Sequence, residues 1–171
     1  SIPKSLNEYF MRSKFLGVLL MVAFAYTMNS CSTDSPKPLI STTFPSQKDI
    51  GYSYSTSETE TLSLINSYRA KIGLNTLKQN NYISFKSEEQ NNYMITNNVV
   101  THGDFAKRSQ NIMDVLGAKK VGENIAYNYN TPQAVLDAWL NSPIHKQYIE
   151  GDFTHFGISI RLNSEGKKYY T

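Results

Sequence analysis

The chain has 171 residues, 40% of them hydrophobic, and its 17 basic and 14 acidic residues leave a net charge of +3. That composition supports a globular domain with a sizeable core and excludes wholesale disorder. No run of Lys or Arg could track a phosphate backbone, so nucleic acid is not an expected partner.

The N-terminal segment reads as an address. Residues 1–10 stand upstream of a good start signal, Met11-Arg12-Ser13-Lys14, and are expected to lie outside the natural product. Residues 15–26 form an unbroken apolar run, which has the length of a signal-peptide core and is too short to span a bilayer. The chain's single cysteine, Cys31, follows in Met28-Asn29-Ser30-Cys31. Residues 11–30 resemble a lipoprotein signal, with Asn29 as an unusual member. The resemblance implies cleavage before Cys31 and a lipid on its sulfur, hence a membrane attachment. The plainer alternative is an ordinary secretory signal followed by an unpaired thiol. One cysteine allows no internal disulfide, so an exported domain must rest on its apolar core. Residues 31–57 are rich in Ser, Thr and Pro and lack apolar spacing, which predicts a tether.

A domain is expected over residues 58–171. Leu62, Ile65, Arg69 and Ile72 recur at helical spacing over 59–71, and Gly73 ends the run. A second helix is expected over 84–97, with Phe85, Tyr93 and Met94 on its apolar face. Asp104 can cap a third helix carrying Phe105, Ile112, Val115 and Leu116 and stopped by Gly117. Thr131-Pro132 starts a fourth, whose buried stripe is Ala134, Val135, Ala138 and Trp139. Residues 156–162 alternate as a strand does, 163–166 form a turn, and 167–171 return as a second strand. Helices first and a hairpin last predict an α+β domain with an antiparallel sheet.

Five segments carry a family resemblance. They are Leu64-Ile65-Asn66-x-x-Arg69-x-x-x-Gly73-Leu74, Thr101-His102-Gly103, and Gly122-Glu123-Asn124-Ile125-Ala126. Ala134-Val135 to Trp139 with Asn141-Ser142-Pro143-x-His145 is the fourth, and Phe153-Thr154-His155-Phe156-Gly157 the fifth. In this order they resemble the CAP superfamily (cysteine-rich secretory proteins, antigen 5 and pathogenesis-related 1), in its bacterial SCP-like extracellular branch. The resemblance implies an α-β-α sandwich with helices flanking a small, mostly antiparallel sheet. It also implies that the last strand continues beyond Thr171.

In that family a cleft is lined by two His and two acidic residues. His102, Glu123 and His155 match three of these positions. Leu140-Asn141-Ser142 supplies no carboxylate for the fourth, and His145 matches the bacterial form of the motif. Two imidazoles and a carboxylate can hold Zn²⁺ or another divalent metal with a position open for water. Glu123 can alternatively orient a His ring, act as a base, or bond backbone N–H groups and fasten a loop. The spacings alone favour a satisfied structural role for each His. Asn124 can serve the same loop or the cleft. Ser142 is a candidate cleft hydroxyl, but Ser142-Pro143 also has the form of a helix start. Tyr127 and Tyr129 fit a cleft rim or simple packing.

Three functions follow from this reading. The first is an exported, lipid-anchored binding module of the bacterial envelope, at the outer membrane or cell surface. It would use the His/Glu cleft for a metal, a partner or an unidentified ligand, lipid among the options. The second is a metal-dependent hydrolase with Zn²⁺ on His102 and His155 and Glu123 as base. The third is a structural envelope protein with a vestigial cleft. A binding module is expected ahead of an enzyme.

Overall fold

The computed structural model describes residues 49–171. The expected upstream segment, signal peptide, lipidated Cys31 and most of the tether lie outside the described residues. Among the described residues no helix is long and apolar enough to cross a membrane.

Ordered packing begins ahead of the expected domain start near Glu58. Ser55 caps α1 (Thr56–Lys71), its hydroxyl accepting from the Glu58 backbone N–H while the Glu58 carboxylate accepts from the Ser55 N–H. This reciprocal pair satisfies two helix-end donors at once. Tyr54 packs on the core, and its hydroxyl meets Ser84 Oγ at 2.7 Å. Of the expected apolar stripe, Ile65 and Arg69 are fully buried, whereas Ile72 is 44% exposed at the helix end.

β1 (Lys78–Gln79) leads into α2 (Asn81–Asn97), which starts earlier than expected because Asn80 caps it by accepting from the Ile83 N–H. The buried face of α2 shares only Met94 with the predicted one. Tyr93 is 49% exposed, and the buried residues are Tyr82, Ser84, Ser87, Gln90, Asn91 and Met94. The reason is hydrogen bonding. Ser84 Oγ accepts from the Ile158 N–H and Asn91 Nδ2 donates to the Ser159 carbonyl, so polar side chains dock the helix on the sheet.

α3 (Phe105–Leu116) starts and stops as expected, but Asp104 makes no side-chain cap. It holds a left-handed conformation at φ 57°, which a short polar side chain tolerates. β2 (Ala126–Tyr127), α4 (Pro132–Asn141) and α5 (Pro143–Ile149) follow. Thr131 caps α4 as expected. Its buried residues are Pro132, Val135, Leu136 and Trp139, with Ala134 and Ala138 only half-buried. Trp139 is core, and its indole N–H donates to the Ile125 carbonyl.

The single strand expected over 156–162 is two strands, β3 (His155–Phe156) and β4 (Ile160–Leu162), followed by β5 (Lys168–Tyr170). The break falls at Gly157, where an added Cβ would lie 2.5 Å from Ile83 and from the Ser84 backbone nitrogen. Only glycine lets the chain press this closely on α2 as it leaves one sheet for the other. β3 pairs in parallel with β1, and β5 lies between β2 and β4 in an antiparallel sheet. Neighbouring residues of the central strand face opposite ways. Tyr170 joins Ile65, Val135, Trp139 and Ile160 on one side, and Tyr169 joins Met94 and Ile125 on the other. Helices thus cover both faces of a small sheet, the α+β sandwich expected for a CAP domain.

Candidate functional site

The Thr101–Asp104 turn brings His102 back toward the loop that precedes β2. Gly103 N–H donates to Thr101 Oγ1, and Gln90 on α2 donates to the Thr101 carbonyl. The loop itself is set by Gly122. A Cβ there would lie 2.5 Å from the Tyr148 ring, so the α5 aromatic seats directly on this backbone. Glu123, the next residue, therefore enters from a fixed position.

The Glu123 carboxylate is the hub. Arg108 of α3 forks onto it, Nε donating to Oε2 and Nη2 to Oε1, both at 2.9 Å. His102 Nδ1 meets Oε1 at 2.9 Å. The Glu123 and Arg108 side chains are 8% and 10% exposed, whereas the His102 side chain is 53% exposed. Arg108 also donates from Nη1 to Gln90 Oε1 and to the Gly103 carbonyl, which ties the His102 turn, α2 and Glu123 together. A two-pronged guanidinium–carboxylate pair is strong and directional. The Glu123 carboxylate is held by side chains and not by backbone N–H groups of the described residues, so the loop-fastener reading does not describe it.

Arg108 is a site residue that the sequence motifs do not mark. A signal was present: a cation near the start of α3 opposes the helix dipole, so it calls for a carboxylate partner. That partner is 15 residues away and not on the helix.

Of the three expected site residues, His102 and Glu123 meet directly, and His155 lines the same groove as Glu123. His155 is exposed on β3, in register with Lys78, and its Nδ1 pairs with Thr154 Oγ1 at 2.8 Å. Among the described residues, no three His, Cys, Asp or Glu side chains come together closely enough to hold a metal ion. Burial first, and the charge of His102 second, push the His145 imidazole below its ordinary pKa. The α4–α5 junction at Ser142-Pro143 puts His145 in the first turn of α5. Asn124 Nδ2 donates to the His145 carbonyl at 3.0 Å, linking the Glu123 loop to α5. Asn124 Oδ1 is buried without a partner among the described residues. Ser142 is the residue before α5, as the helix-start reading expects, but its hydroxyl makes no capping bond. Tyr127 packs edge-on against Tyr169, and the Tyr129 carbonyl accepts from the Tyr170 hydroxyl.

Beside this cluster runs a groove of about 840 Å³. Glu123, Asn124, Arg108 and His155 line it, so it is here that His155 rejoins the site. Phe105, Ile112, Leu116, Phe153 and Phe156 give it an apolar wall. Lys119 and Lys120 stand exposed at its edge, with Lys120 Nζ 4.6 Å from the Phe153 ring centre. Pockets of this size with an apolar wall and a few placed polar groups are the common form of a small-molecule site.

Comparisons with known proteins agree with this architecture. The profile of the cysteine-rich secretory protein family, CAP, matches residues 62–171. The uncharacterized membrane protein YlbC of Bacillus subtilis is 34% identical over 122 residues, covering 68% of this chain and 33% of that protein. The uncharacterized protein YkwD of the same organism is 33% identical over 110 residues, covering 62% of this chain and 43% of that protein. This chain therefore spans less than half the length of these two relatives. An outer surface protein from Borrelia burgdorferi matches in fold with a TM-score of 0.57 at 22% identity, over 71% of this chain and 94% of that one. An extracellular protein containing an SCP domain from Bacillus anthracis matches with a TM-score of 0.56 at 22% identity, over 67% of this chain and 39% of that one. The ordered motifs, the two-faced sheet and the family match together make this chain a member of the CAP superfamily.

Proposed function

We propose that this protein is an exported, lipid-anchored CAP-domain binding module of the bacterial envelope, and that its groove takes an amphipathic ligand with an acidic head. The observation that carries the reading is the groove: apolar on the Phe105–Leu116 side, open at an edge where Lys119 and Lys120 are free to meet an anion. Export and anchoring rest on the signal-like N-terminus with Cys31. They are also supported by relatives named as a membrane protein, an outer surface protein and an extracellular protein. The hydrolase reading has less support. Both Glu123 oxygens are engaged by Arg108 and one also by His102, so this carboxylate is a poor general base.

The test is titration of a fluorescent fatty acid into the purified protein. Saturable binding at one equivalent is expected, weakened at least about tenfold by Leu116→Arg, which puts a charge on the apolar wall at a cost of at least about 1.4 kcal/mol. Lys119→Glu with Lys120→Glu should weaken it less. No saturable binding, or binding indifferent to Leu116→Arg in a folded variant, overturns the reading. Lipid anchoring is checked separately by incorporation of labelled palmitate in cells, lost in Cys31→Ser.

A further inference from the structure

We propose that Arg108 is a positioning residue of the His102 cleft. Acting through Glu123, it holds His102 as the Nδ1–H tautomer, so that Nε2 faces outward as a proton acceptor for a ligand hydroxyl or amine. The proposal goes beyond the groove reading and does not depend on it.

The argument begins with charge. A divalent metal binds a carboxylate by taking its lone pairs. Here the lone pairs of Glu123 already serve three N–H vectors: Nε and Nη2 of Arg108 and Nδ1 of His102. The guanidinium is also fixed from behind by Gln90 Oε1 and the Gly103 carbonyl, so it cannot swing away cheaply. A metal at this carboxylate would stand beside a fixed positive charge, so Glu123 does not fit as a direct metal ligand.

The tautomer follows from the same geometry. A carboxylate only accepts hydrogen bonds, so the His102 Nδ1 that meets it must carry the hydrogen. In a neutral imidazole the other nitrogen is then the acceptor. Just over half of the His102 side chain is exposed, and its Nδ1 side is the part turned to Glu123, which leaves Nε2 to solvent. Arg108 is a positioning residue that keeps the carboxylate in one orientation.

The measurement is long-range ¹H–¹⁵N correlation of the labelled protein at about pH 8, above the ordinary imidazole range. In the wild type, His102 is expected to show a protonated Nδ1 and an unprotonated Nε2. Glu123→Gln and Arg108→Gln should both move it toward the Nε2–H form that a free imidazole prefers. Arg108→Lys, which keeps the charge and loses the fork, should move it part of the way. A wild-type His102 with hydrogen on Nε2 overturns the proposal whether or not any variant folds. Failure of fatty-acid binding would leave the tautomer result untouched, so the two readings fail separately.

Discussion

Two glutamates of this domain each pair with an arginine and differ in what else they touch. Glu58 is fully buried and accepts from the backbone N–H groups of Ser55 and Ile160, from Arg161 and from the Tyr52 hydroxyl. It pins the segment before α1 to β4. Arg161 reaches on to Glu88 and to Tyr52, whose phenol pKa is pushed up to about 12, chiefly by burial. Every one of these Glu58 partners is part of the framework. Glu123 is held by side chains alone, and one of the two, His102, is largely in solvent. A carboxylate bonded on all sides to framework holds a fold together. One that is bonded to an arginine on the inside and to an exposed imidazole on the outside passes the arginine's fixed position to the surface.

The sharpest way to break this contrast is to remove Glu58. Glu58→Ala leaves the buried Ile160 N–H and the Ser55 N–H without their acceptor and Arg161 with Glu88 as its remaining carboxylate, and a cost of about 3–5 kcal/mol is expected. That is a large share of the about 5–15 kcal/mol that holds a domain folded. Urea unfolding should show it as a large fall in midpoint. A loss under about 1 kcal/mol would mean that water replaces the carboxylate and that Glu58 is no fastener.

Glu123→Gln should cost less, about 1–3 kcal/mol. Arg108 keeps its bonds to Gln90 and Gly103, and the cluster opens to solvent on the His102 side. A loss equal to that of Glu58→Ala would erase the distinction and make Glu123 a second structural pin. A small loss with an altered His102 tautomer would sharpen it.

The sequence carried the fold's outline because much of that outline is local chemistry. Thr131-Pro132, Gly117, and the 163–166 turn each act within a few residues, and each appears where it was read. What it hid was long-range and polar. The buried face of α2 consists largely of Ser, Gln and Asn bonded to distant backbone, so no apolar stripe marks it. The same holds at the site. His102 and Glu123 stand in recognisable segments and do meet. Arg108 sits in a stretch without a motif and is joined to Glu123 only by the fold. His155 and His145 each lie in a motif, and nothing along the chain says which of them feels the charge of His102.

The smallest expected effect tests the same pairing from the His145 side. Burial and the neighbouring His102 charge lower the His145 pKa in the folded protein. The unfolded chain, at the ordinary value of about 6.5, therefore takes up its proton first as pH falls. Stability from this residue is fully present above that ordinary value and declines as pH drops toward the folded one. His145→Gln should flatten the stability–pH curve between about pH 7 and about pH 5, measured by urea unfolding across that range. His102→Gln should flatten it partly, because burial, the larger cause, remains. If His102→Gln leaves the slope of the wild type unchanged, the two imidazoles do not sense each other. His145 would then be a buried histidine beside the cleft instead of a member of it, and the hydrogen bond from Asn124 to its carbonyl would be its only tie to the Glu123 loop.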